Sequence, residues 1–284
     1  MTERIDQIEK YYSPIEKCEK WASWFFWICA ILSIIVPYSD KISSIWLKQI
    51  PSIAFILAVL IHSTLSAYSG FFLIPTAETL RRKQLLSNSF DVPLTPETTQ
   101  GYYNNELAPS IARLGACVLE NSFFGKNVCL EMAKIERGKM FVYFLLWITA
   151  ITLRSTDLNL VLTLTQVLFS GNILFHWIKL EILRSQNENV YEQLYSHFLN
   201  RVSSNHNPGI ACILHSFASY ESAKASAAIK QSSKIFNRLN PRLSAEWEEI
   251  RNQLGIEELG SNQLLHADPA NSAGPVSSTL GGEI

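Results

Sequence analysis

Residues 49–77 contain no Asp, Glu, Lys or Arg. An uninterrupted run of this kind is what a bilayer demands, since its hydrocarbon is about 30 Å thick and takes about 20 apolar residues to cross as a helix. One charge at the centre costs about 2.5–3.5 kcal/mol on the insertion scale, so the charge-free intervals mark candidate spans. Three more intervals qualify: residues 21–39, 140–153 and 158–178. The 140–153 interval is short and reaches across only if Lys139 and Arg154 extend their charged heads to opposite surfaces. Trp21, Trp24, Trp46, Trp147 and Trp177 mostly fall near the ends of these intervals, where an aromatic belt belongs. The expected fold class is an all-α integral membrane protein with four transmembrane helices in two hairpins and cytoplasmic helical extensions.

Charge placement orients the hairpins. Their turns, residues 40–50 and 154–157, carry few cations. The flanks carry many, including Arg4, Lys10, Lys17 and Lys20 before the first span, and Arg81, Arg82, Lys83, Lys134, Arg137 and Lys139 between the hairpins. The positive-inside rule then places both termini and the middle segment in the cytoplasm. The expected organisation is a cytoplasmic helix at 1–20, a hairpin at 21–77, a cytoplasmic middle segment at 78–138, a second hairpin at 139–178 and a cytoplasmic helical region at 179–255. The tail, 256–284, is expected to be disordered, being rich in Ser, Asn, Ala, Gly and Pro from Gly260 onward. The acidic residues among the first twenty argue against a secretory signal.

Within this frame, helix signals set the local expectations. Ser13-Pro14-Ile15-Glu16 resembles a helix start, with a capping hydroxyl, proline in the first turn and a reciprocal glutamate. The second span is expected to run on into the cytosol with a kink at Pro75. One or two helices should lead into the third span, one should cover 210–239, and a short one should cover 244–254. No strand-like alternation is present.

Composition excludes several functions. Only 17% of residues are charged, against about a quarter in soluble domains. A net charge of −1 offers no field for nucleic acid, so no direct nucleic-acid partner is expected. The five cysteines form no CxxC pair, and the six histidines do not cluster, so neither a metal nor another cofactor is expected. No Walker, HExxH or GxSxG motif occurs, and the chain is not expected to be an enzyme.

Polar residues inside the apolar intervals are the candidate pore lining: His62, Ser66 and Ser69 in the second, and Gln166, Asn172 and His176 in the fourth. Ionisable and amide groups in a membrane face a helix partner or water. Small residues at four-residue spacing also permit close helix packing with no pore. The candidate ligand-binding or coupling residues are Arg81, Arg82, Tyr102, Tyr103, Asn104 and Asn105. The first two lie about two turns below the membrane, where attraction to anionic lipid is the plainer account. The others lie in the polar connector 85–110, whose tyrosines either pack on neighbouring helices or hold a base or a partner.

The two hairpins, the cytoplasmic middle and end, and the segment NSFDVPLTPETTQGYYNNE together resemble a bacterial family. It comprises four-transmembrane pore-forming effectors associated with nucleotide-second-messenger (SMODS) and SLOG-type defence systems. The resemblance covers about residues 1–255. It implies an inner-membrane location, a homo-oligomeric pore, abortive infection as the output, and a cyclic nucleotide or related signal made by a partner nucleotidyltransferase. A non-conducting membrane scaffold or regulatory subunit is the competing expectation.

Overall fold

The computed structural model describes residues 5–39, 45–97, 99–100, 103, 107–152, 173–200 and 206–256. The fold is all-helical apart from one two-residue antiparallel pair. Strand β1 (Ile5–Asp6) leads through a short 3-10 turn into α1 (Tyr12–Ser39). Helix α2 (Ile45–Tyr68) continues through a π-turn at Ser69–Leu73 into α3 (Ile74–Phe90). After β2 (Thr99–Gln100) come α4 (Ile111–Thr152), α5 (Ile173–Leu199), α6 (Asn207–Ala227) and α7 (Ser233–Leu254).

Among the described residues one helix, Gln49–Phe90, is long and apolar enough to cross a membrane by length and composition. The expectation of four spans is therefore supported in one. Residues 158–172 of the fourth interval lie outside the described residues. Where a kink is expected, at Pro75, the structure has a π-turn, Ser69–Leu73, just before the proline. Proline donates no N–H to the helical ladder, and a π-turn absorbs such an interruption without ending the helix.

Helices α1 and α2 run side by side in opposite directions: the Cys18 thiol donates to the Leu65 carbonyl at 3.3 Å, and His62 Nδ1 lies 2.9 Å from the Ala22 carbonyl. Their outer faces stay open, with Trp21, Ile31, Ile53 and Ile56 all more than half exposed. Helices α4 and α5 form a second antiparallel arm, tied by Arg137 to Glu181 at 2.5 and 2.8 Å and by Phe123 against Tyr191. Helix α4 is one continuous element of 42 residues, about 63 Å long at 1.5 Å per residue. Its first half belongs to a bundle with α3, α5, α6 and α7, around buried Leu85, Leu119, Phe123, Phe198 and Trp247.

Two sequence expectations need correction. The break expected near residue 240 lies earlier: Ala228 turns into the left-handed region (φ 47°) and Ser232 caps α7 by accepting from the Ile235 amide at 3.4 Å. Pro241 sits inside α7. The strand pair was also not anticipated, because two residues are too few to show alternation. It joins Ile5 to Gln100 and Asp6 to Thr99.

Candidate functional site

The apolar stretch of α2 gives way to charge at the top of α3, where Glu78, Arg81 and Arg82 occupy neighbouring positions on one helix face. Each meets a residue from a distant element. The Tyr12 hydroxyl, at the start of α1, donates to Glu78 Oε1 at 3.0 Å. Lys224 of α6 lies 2.5 Å from Glu78 Oε2 and 3.9 Å from Glu221 Oε1. Arg82 Nε donates to Glu221 Oε2 at 2.7 Å. Arg81 grips Asp6 with two bonds, of 3.2 and 3.0 Å, and its guanidinium lies 5.6 Å from the centre of the Tyr12 ring. This junction binds α1, α3, α6 and β1 into one charge network.

Burial sets its electrostatics. It works against the Lys224 ammonium, but the Tyr220, Glu78 and Glu221 side chains outweigh it and hold the lysine well above its ordinary range. Burial and the Glu78 carboxylate raise the Tyr12 phenol far above its usual value. Lys224 therefore stays charged and Tyr12 neutral across the physiological range.

Beside the junction opens a cleft of about 710 Å³, walled by α4, the N-terminal segment, α6 and α7. Lys230, on the linker between α6 and α7, pairs there with Glu16 of α1, and Ser233 donates to the same carboxylate at 3.3 Å. Asn121 and Gln231 add amides to the wall.

The residues singled out from sequence are dispersed. Arg81 and Arg82 are junction members held by Asp6 and Glu221. Tyr103 packs against the bundle core and accepts from Asn121 Nδ2 at 3.3 Å, one hydrogen bond from the cleft wall. Tyr102, Asn104 and Asn105 lie outside the described residues, as do Gln166 and Asn172. His62 meets the Ala22 carbonyl and the Phe26 ring, Ser66 is half-buried and Ser69 is buried in the π-turn. His176 stands exposed at the start of the other arm, on α5.

Sequence reading missed Asp6, Tyr12, Glu78, Glu221 and Lys224. Spacing along α3 shows that Glu78 and Arg82 share a face, but the partners lie 66 to 146 residues away from Glu78 and no local pattern reveals them. Compared with protein-family models, with curated proteins and with solved structures, the chain matches none.

Proposed function

We propose that this chain is a multi-pass bacterial membrane effector without catalytic chemistry of its own. Its cytoplasmic bundle receives a nucleotide signal or a partner, and its two arms assemble with those of other copies into a pore in the inner membrane. Both termini face the cytosol, and the second arm completes the four spans. The observation that carries this reading is the junction. Helix α6 of the bundle holds the bases of both α1 and the α2–α3 helix through Lys224, Glu78 and Tyr12. A ligand shifts such a system only by binding its two arrangements unequally, and a junction shared by bundle and membrane arm is where unequal contacts would be transmitted.

The test is membrane potential. Cells expressing the chain together with a nucleotide-second-messenger synthase should depolarise, as read by a potential-sensitive dye. A retained potential in cells with confirmed insertion overturns pore formation. The alternative, a non-conducting scaffold, is favoured by the His62 contact to Ala22, which uses an intramembrane polar group for packing within one hairpin. Replacing His62 and Ser66 with leucine separates the two, since a pore loses depolarisation while inserting normally and a scaffold retains its partner.

A further inference from the structure

The cleft has an unusual charge balance. Five carboxylates line it, Asp6, Glu9, Glu16, Glu78 and Glu120, against three cations, Arg81, Lys224 and Lys230. Three of the five carboxylates belong to the N-terminal stretch that ends in the first turns of α1. Without that stretch the wall would hold two carboxylates and three cations, and its sign would reverse. Asp6 engages Arg81 through two parallel bonds, the geometry in which arginine also takes a phosphate. Glu16 likewise occupies Lys230, whose side chain is only 7% exposed. These two carboxylates stand where the oxygens of a multivalent anion would bind.

Building on the coupling role given to the junction, we propose that the cleft is a site for a polyanionic phosphate compound and that the N-terminal acidic stretch is its built-in competitor. A bound oligophosphate takes Arg81 from Asp6 and Lys230 from Glu16. Asp6 belongs to β1, which is held to β2 by a two-residue ladder. Glu16 belongs to α1, so its release acts directly on the base of the membrane arm. A ligand with several charges is required, because it must replace two ion pairs at once.

The full chain in phosphatidylcholine nanodiscs is titrated with inorganic tripolyphosphate by calorimetry. The unaltered protein should bind, and Asp6→Asn with Glu16→Gln should bind about tenfold tighter, because removing the competitor raises the fraction of open cleft. Arg81→Gln with Lys230→Gln should lose binding while keeping its helical circular dichroism. Absence of binding in both the unaltered and competitor-free proteins, or equal affinity in the two, overturns the site. A measurement on unaltered protein guards against misfolded variants: tripolyphosphate should speed hydrogen exchange at Ile5–Asp6, and unchanged or slower exchange overturns the competition. Nanodiscs containing phosphatidylglycerol without tripolyphosphate form the second arm. Faster exchange there as well as with tripolyphosphate assigns the anion to lipid headgroup phosphate, and faster exchange with tripolyphosphate alone assigns it to a free oligophosphate. Binding without depolarisation keeps this site and removes the pore, and depolarisation in a chain that fails to bind removes this site alone.

Discussion

Lys224 leaves 15% of its side chain exposed and faces two carboxylates, Glu78 and Glu221, that are themselves nearly enclosed. Breaking a buried pair from one side leaves an uncompensated charge, at a cost of about 3–5 kcal/mol. Lys224→Ala is therefore expected to lower the unfolding free energy of the bundle by about 3 kcal/mol, read by denaturant unfolding in detergent. Adding Glu78→Gln should recover part of that loss, because the stranded carboxylate is removed; strict additivity of the two changes would show that the residues are not coupled. Sequence alone made the cations Arg81 and Arg82 visible and left Lys224 unremarked. The difference is physical. Cations at a membrane boundary have a generic use, whereas the worth of Lys224 depends wholly on which elements fold against α6.

At the scale of elements, the N-terminal segment is held by the connector that follows α3. Glu97 accepts from the Tyr11 hydroxyl at 2.6 Å and from Thr95, and Lys10 lies 3.5 Å away. The hydrogen bonds from Thr95 and Tyr11 draw its carboxyl down to about 2 from the ordinary 4.5. A folded value below the unfolded one gives stability that is complete above about 4.5 and is lost as pH falls towards 2. Hydrogen exchange at Thr99–Gln100, corrected for its intrinsic rate, should therefore quicken several-fold across that window, and Glu97→Ala should reproduce the change at pH 7. Acid-insensitive exchange would mean that Glu97 does not hold the ladder.

Packing of α4 on α5 supplies a second element-scale prediction. A Cβ on Gly125 would lie 2.8 Å from Asn187 Oδ1 and 3.3 Å from Gln231 Nε2. Asn187 is buried, and its Nδ2 is committed to the Leu183 carbonyl at 2.8 Å, so it has little room to yield. Gly125→Val should destabilise the bundle by about 2 kcal/mol, seen as a lowered denaturation midpoint with an unchanged slope. The helical nature of α4 was legible from its apolar spacing, as at Ile111, Leu114 and Val118. The expectation of one or two helices leading into the third interval is met by one, whose charged residues 131–139 do not interrupt it. They carry the surface pairs of Lys134 with Glu131 and Lys139 with Glu136. The end of α6 at Ala228 escaped notice, since alanine in the left-handed region carries no signature of its own, and the break expected between 239 and 244 does not occur.

Across the whole molecule, each arm is packed within itself, and among the described residues neither arm packs along the other. The exposed large apolar side chains of the first arm include Trp24 and Ile31 of α1, Ile56 and Leu60 of α2 and Phe72 of the π-turn. Exposed apolar side chains gathered into a patch mark contact with lipid or with protein. Lipid alone would leave the chain monomeric, with the two arms apart. Assembly would set the arm of one copy into the gap beside the arm of the next, and small residues such as Ser66 and Gly70 would permit close approach. Alkaline carbonate extraction should leave the full chain in the membrane pellet. After extraction into native nanodiscs, mass photometry should then find particles of several chains, whose size stays constant on dilution. Recovery from the carbonate supernatant would remove the membrane reading altogether. Pelleting with strictly single-chain particles would keep the chain in the bilayer and leave the junction coupled to a hairpin that forms no pore by association.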